Sequence, residues 1–265
     1  MVGTFRRKEE HVNSHRSNVA GEAGITALVL IRHGESEGNV AATRAREAGA
    51  QVIEVPARDA DVDLSETGRE QALALGRLLA GVSEQFPVWS SPYARARETA
   101  ELALDVAGWD RLPRLDERLR DRELGILDRL TSAGVEARFP EEGERRRWLG
   151  KFYYRPPGGE SWADVVLRLR SLLADLDREH PGQEVLLVCH DALILLFRYV
   201  LLGLTETDLL DLAARTTILN ASVSRFVREG GTGPWELAGF NEADHLRSYG
   251  APVTEHAGES NVHPR

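Results

Sequence analysis

Two short apolar runs in this chain each end directly in a histidine, and no other feature restricts the fold as strongly. Ala27-Leu28-Val29-Leu30-Ile31 leads into Arg32-His33-Gly34-Glu35, and Val185-Leu186-Leu187-Val188-Cys189 leads into His190-Asp191-Ala192. Near-continuous apolar runs of this length, rich in Val, Ile and Leu, are what parallel strands covered on both faces look like. In open α/β sheets the ligand crevice lies just beyond the carboxyl ends of the strands. The pattern therefore suggests two imidazoles facing one ligand. Either histidine alone fits equally well a strand that simply ends beside solvent, so the surrounding residues must decide.

The rest of the chain alternates. Ser65 to Gln71 leads into a helix over 72–80, with Ser65 or Thr67 able to cap it. Residues 87–90 read as a short strand and 93–107 as a helix. Apolar residues at helical spacing (Val165, Val166, Leu169, Leu172, Leu173, Leu176) predict a helix over 162–179, stopped by His180-Pro181-Gly182. An apolar helix follows the second histidine strand through Leu204. Residues 217–227 and 235–240, joined across Gly230-Gly231, read as a closing hairpin. Strands alternating with helices predict an α/β fold, a three-layer α/β/α sandwich around a mainly parallel sheet. One domain is expected over 25–243. The charged stretch 126–160, with a basic cluster (Arg145-Arg146-Arg147, Lys151, Arg155) among aromatics, is expected to be an insertion lying over the site. Residues 1–24 and 244–265 read as poorly ordered tails, and His11, His15, His256 and His263 within them as solvated bystanders.

Composition narrows the function. The 265 residues are 42% hydrophobic, enough for a substantial core. A formal charge of −9 argues against nonspecific binding to nucleic acid or anionic membranes, so any anion site must be built locally by a few arginines. No apolar stretch approaches a membrane span, and the start lacks the apolar core of a secretory signal. The single cysteine, Cys189, cannot form an intramolecular disulfide, which points to the cytoplasm. At the end of an apolar strand it reads as a buried structural thiol.

Several motifs resemble those of the histidine phosphatase superfamily, the phosphoglycerate mutase-like proteins. Arg32-His33-Gly34-Glu35-Ser36-Glu37-Gly38-Asn39 is similar to its opening motif. Asp63-Leu64-Ser65-Glu66-Thr67-Gly68 resembles the segment leading into the next helix. Ser90-Ser91-Pro92-Tyr93-Ala94-Arg95-Ala96 resembles the motif carrying a further arginine. Arg120-Asp121-Arg122-Glu123-Leu124-Gly125 matches the acid-bearing segment, Pro157-Gly158-Gly159-Glu160-Ser161 a turn before a helix, and Cys189-His190 the second histidine. Residues 151–161 look more like the broad-range acid phosphatase branch than the glycolytic mutases.

The resemblance implies a small phosphorylated substrate and a catalytic set of His33, Asp121 and His190. Arg32, Arg95, His190 and Asn39 would bind the phosphate. The physics of these positions agrees. Arginine's rigid fork of donors suits a phosphoryl dianion. Gly34 is expected to let the backbone approach the phosphate, and a helix starting near Gly38 to aim its free N–H groups at it. His33 with one unprotonated nitrogen is a nucleophile able to form a phosphohistidine, while His190 donates to the transferring oxygens. Asn39 is open to two readings, a phosphate contact or a polar residue of the first helical turn.

Two positions depart from the family pattern. Asp121 stands where the family usually has glutamate, leaving Glu123 as the rival for the general acid. Asp191 stands where glycine is usual, and its side chain is expected to point away from the phosphate. The chain has too few histidines in its body for a metal-dependent phosphohydrolase, so neither metal nor cofactor is expected. The expected activity is phosphomonoester hydrolysis in the cytoplasm. The alternatives are a bisphosphate-dependent phosphoglycerate mutase and a phospholigand-binding protein without turnover.

Overall fold

The computed structural model describes residues 23–82 and 86–256. In chain order these form β1 (Ala27–Arg32), α1 (Glu37–Glu47), α2 (Glu66–Ala80), β2 (Val88–Ser90), α3 (Ala94–Ala107) and β3 (Arg114–Leu115). Then follow α4 (Ser132–Arg138), α5 (Pro140–Tyr153), α6 (Trp162–Glu179), β4 (Glu184–Cys189), α7 (Asp191–Leu202) and α8 (Glu206–Arg215). The last elements are β5 (Val223–Val227), β6 (Glu236–Glu242) and α9 (Asp244–Ser248).

The strands make one sheet in the order β3-β2-β4-β1-β5-β6. The first four run parallel, and β5 and β6 close the sheet as the expected antiparallel hairpin. Side chains alternate across it. Leu28, Leu30, Val185 and Leu187 face a core shared with Leu169, Leu172 and Leu176 of α6 and Leu193 and Phe197 of α7. Val29, Ile31, Leu186 and Val188 face the opposite way, onto Leu75 of α2 and Ala96, Ala100 and Leu104 of α3. Two cores on the two faces of one sheet make the three-layer sandwich that the apolar runs predict.

Helix ends follow side-chain chemistry. Ser65 Oγ accepts from the Gly68 amide to start α2, and Ser161 and Asp164 exchange bonds as a capping box to start α6. α6 ends at His180, whose Nε2 accepts from Trp89 Nε1 at 3.2 Å. The hairpin is shorter at its start than expected. Residues 217–222 are irregular, with Ala221 at a φ of 53°.

The tail expected after residue 243 is a correction. Asp244–Ser248 is helical, and the chain beyond it is held as far as His256. Gln71 Nε2 donates to the Pro252 carbonyl and to Thr254 Oγ1, and the Asn220 amide donates to the Thr254 carbonyl. His256 is therefore no solvated bystander. His11, His15 and His263 lie outside the described residues. At the other end, Gly24 donates to Gly231 and accepts from Gly182.

The 126–160 stretch carries α4 and α5. Thr131 Oγ1 donates to the Ala50 carbonyl at 2.6 Å, tying its start to the segment after α1. Its aromatic cluster is attached to the helices on the other side. Lys151 Nζ sits 4.6 Å over the Trp162 ring, Phe152 packs on Tyr199, and Arg155 pairs with Asp164.

Candidate active site

β1 and β4 are neighbours in register, Arg32 opposite Cys189, so the next residue of each strand is a histidine at the same level. The His33 amide donates to the Cys189 carbonyl at 2.9 Å and so extends the ladder. The imidazoles of His33 and His190 lie with centroids 5.1 Å apart, both buried.

His33 Nδ1 is 2.7 Å from the Gly34 carbonyl oxygen. A carbonyl only accepts, so Nδ1 carries the proton and Nε2 keeps its lone pair. Burial, then the charges of Arg95, His190 and Arg32, hold the His33 pKa well below its ordinary value. The ring is neutral near neutral pH, with a nucleophilic nitrogen. His190 is neutral for the same reasons, burial first and then Arg95, Arg168 and Arg32. Its Nε2 lies 2.9 Å from Ser91 Oγ, and the Tyr93 ring packs edge-on against it at 5.4 Å.

Two buried guanidiniums act on both histidines. Arg32 donates through Nη1 to the Ile218 carbonyl, and Nη1 and Nη2 each lie 3.3 Å from the His256 carbonyl oxygen. Arg95 is gripped by both oxygens of Asp59, at 3.1 and 3.2 Å, and reaches Asp121 Oδ2 at 3.1 Å. Burial opposes the charge on Arg95, but Asp59 and Asp121 more than offset it and raise its pKa. Of five buried side-chain polar atoms without a hydrogen-bond partner among the described residues, two lie in this site, Arg32 Nε and His190 Nδ1. Buried polar atoms left so are rare because they cost free energy, and they call for a functional explanation.

Asp121 falls inside this group. Its Oδ2 is 3.4 Å from His190 Nδ1 without hydrogen-bond alignment, and its Oδ1 accepts from the Arg122 amide. Glu123 is one step removed. It accepts from the Tyr93 hydroxyl at 2.5 Å, and its side chain is 49% exposed against 25% for Asp121.

Asn39 has a structural role through its Oδ1 and its amide, and none of these bonds uses the Nδ2 that a phosphate would need. Its Oδ1 accepts from the Ser36 amide and from Asn220 Nδ2, each at 3.2 Å, and its amide donates to Ser36 Oγ. Asp191 turns its Oδ1 to the Ala192 amide within the first turn of α7.

The first motif also makes contacts within the protein that its sequence did not announce. The amide of Glu37 donates to Asp63, while Ser36 and Asn39 cap each other, so three amides at the start of α1 are already engaged. Gly34 donates its amide to Thr99 Oγ1 at 3.0 Å. Its lack of a side chain serves a backbone approach, since a Cβ there would meet the Gly68 carbonyl oxygen at 2.5 Å.

Sequence reasoning missed Asp59, Ser91, Asn220 and His256. Ser91 and Tyr93 sit in a motif that was read only for its arginine. Asp59 and His256 carry no local signal.

A family model described as histidine phosphatase superfamily (branch 1) matches residues 28–243. The chain belongs to that superfamily. A 2,3-bisphosphoglycerate-dependent phosphoglycerate mutase of Methylobacterium radiotolerans is 35% identical over 195 residues, 72% of this chain and 86% of the relative. A glucosyl-3-phosphoglycerate phosphatase of Mycobacterium tuberculosis is 34% identical over 185 residues, 67% of this chain and 75% of the relative. A Gallus gallus 6-phosphofructo-2-kinase/fructose-2,6-bisphosphatase is 32% identical over 192 residues, and this histidine phosphatase chain spans only 36% of its length. Among solved structures, the mycobacterial glucosyl-3-phosphoglycerate phosphatase in complex with VO3 superposes with a TM-score of 0.66 at 30% identity. That match covers 82% of this chain and 100% of the other.

Among the described residues, no three His, Cys, Asp or Glu side chains come together as a metal-ligand set. No described helix is long and apolar enough to cross a membrane.

Proposed function

We propose that this superfamily member is a phosphomonoesterase that hydrolyses a small phosphorylated metabolite through a phosphohistidine on His33. One observation carries the reading. His33 is buried and neutral with Nε2 unprotonated, next to a second histidine and two guanidiniums. Its Nε2 attacks phosphorus as the bond to the leaving oxygen breaks. Arg32 Nε and His190 Nδ1, the two buried atoms of this site without partners, suit the equatorial oxygens where charge develops, Nδ1 provided that it carries the ring proton. Asp121 delivers the proton to the leaving oxygen, and water then cleaves the N–P bond. The phosphatase relative and its complex with VO3 support the same reading.

A mutase would use the same residues, and one relative is a mutase. The surroundings favour hydrolysis. A cavity of about 300 Å³ beside the site is lined by Asp59, Asp61, Glu123 and Asp128, with Arg58 its one cationic side chain. Arg58 is itself paired with Asp61. Asp59 is likewise paired with Arg95, so Glu123 and Asp128 are the carboxylates of that wall that would repel an anionic leaving group such as phosphoglycerate. The proposal includes independence from metal and a cytoplasmic location, the latter resting on the single, buried cysteine.

The test is hydrolysis of p-nitrophenyl phosphate by wild type and His33→Ala, with and without EDTA, and acid–base analysis of a trapped phosphoryl adduct. We expect turnover that resists EDTA, loss of about 10⁴-fold or more in the variant, and an acid-labile, base-stable adduct. A label found on Cys189 or a serine overturns the reading.

A further inference from the structure

We infer that Ser91 is a positioning residue that fixes His190 as its Nδ1–H tautomer. The inference deepens the proposed reaction and rests on its reading of His190 as a donor to the phosphoryl group.

The sheet brings the two residues together. Ser91 follows β2 directly, and its amide donates to the Val188 carbonyl of β4 at 2.9 Å, one step from where His190 leaves that strand. Both residues are fully buried. A serine hydroxyl offers one proton and two lone pairs, and a neutral imidazole one donor and one acceptor. One lone pair of Ser91 Oγ is taken by the Tyr93 amide at 3.2 Å. The contact with His190 Nε2, at 2.9 Å, can then run in either direction.

If Nε2–H donated to Ser91, the hydroxyl proton would have no acceptor among the described residues at a position closed to solvent. The Nδ1 lone pair would also face Asp121 Oδ2, two acceptors 3.4 Å apart. If Ser91 O–H donates to Nε2, every group at the contact is matched, and Nδ1 carries a proton facing the carboxylate. Both comparisons select the same tautomer. Burial and the neighbouring Arg95, Arg168 and Arg32 keep the ring from taking a second proton, so the choice of tautomer is real. The result is a fixed N–H at His190 Nδ1, on the side it shares with Asp121 and Arg95.

The test is nitrogen-15 NMR of the histidine rings, with His190 assigned by comparison with His190→Ala. We expect a protonated, pyrrole-type Nδ1 and an unprotonated, pyridine-type Nε2 in the wild type. The reverse pattern overturns the proposal. Ser91→Ala should turn His190 into a mixture of tautomers and lower kcat about 10–100-fold, the usual effect of removing a partner that orients an imidazole, with KM changed far less. Ser91→Thr, which keeps the hydroxyl, should restore both. A Ser91→Ala protein with an unaltered ring pattern and wild-type kcat sinks the idea. The ring pattern needs no turnover, so a wild type that shows the Nδ1–H form but hydrolyses nothing would remove the functional reading and leave the tautomer assignment in place.

Discussion

His256 Nε2 lies 2.6 Å from Glu35 Oε2. Glu35 is two residues from His33, so the far end of the described chain is tied to the loop that carries the proposed nucleophile. The other ring nitrogen of His256 lies 2.8 Å from Thr43 Oγ1 of α1, and its carbonyl accepts from Arg32. Glu35 is held on its second oxygen by Ser65 Oγ at 2.7 Å. The loop is thereby fixed from α2 and from the C-terminal segment at once.

His256→Ala removes the Glu35 and Thr43 bonds at a largely buried site while leaving the backbone carbonyl on Arg32. The expected loss is about 1–3 kcal/mol, the cost of leaving a buried carboxylate short of a partner. Urea unfolding of His256→Ala, Glu35→Gln and the double variant measures it. Additive losses would mean that the two side chains do not interact.

A glycine contact fixes the same loop from the other side. A Cβ on Gly68 would lie 1.9 Å from the Glu35 carbonyl oxygen, a clash with backbone that no side-chain rotation relieves. Gly68→Ala should cost about 1–3 kcal/mol, as overpacking does, and should depress kcat because the His33 loop must move. Alanine at Gly49, where a Cβ meets nothing within 4 Å but φ is +62°, serves as a control for backbone strain alone.

Stability should fall on mild acidification. His33 and His190 have folded-state pKa values well below 6.5, mainly through burial. Above about pH 7 these rings are neutral in both the folded and unfolded chains and contribute no pH dependence. As pH drops below about 6.5 the unfolded chain takes up protons that the folded protein refuses, so stability is lost, by about 1.4 kcal/mol per pH unit for each such histidine. His180 and His245 act in the same direction. Urea midpoints between pH 7 and 5 give the slope, and His33→Asn should make it shallower. An unchanged slope in that variant would show that His33 is not held neutral.

The sheet and the facing histidines were legible because apolar runs specify covered strands, and covered strands put their ends at one crevice. Arg95 was legible through the motif resemblance, and it sits in the first turn of α3. Its partner Asp59 was not, because the segment around it has no periodicity and meets Arg95 only through the fold. His256 was misread since local composition resembles a tail, whereas its anchors are Arg32, Glu35 and Thr43, more than 200 residues away. Gly34 was read for a ligand alone, and its close approach to Gly68 is a pairing that local sequence does not disclose. The tautomer proposed for His190 starts from Ser91 Oγ meeting Nε2, a contact that β2–β4 pairing brings about.

Asp121→Asn and Glu123→Gln separate the two candidate acids. Asp121 Oδ2 touches Arg95 and approaches His190, while Glu123 is bonded to the Tyr93 hydroxyl, so the proposed mechanism gives the proton to Asp121. General acid catalysis matters in proportion to the basicity of the departing oxygen and usually contributes about 10²–10⁴-fold. Asp121→Asn should therefore lose activity in that range on an alkyl phosphate and far less on p-nitrophenyl phosphate, whose phenolate leaves without a proton. Glu123→Gln should affect both substrates alike, through the Tyr93 contact. Equal losses on both substrates for Asp121→Asn would make it a binding or structural residue. A loss that depends on the leaving group only in Glu123→Gln would transfer the proton to Glu123, with Tyr93 as the hydroxyl that holds it.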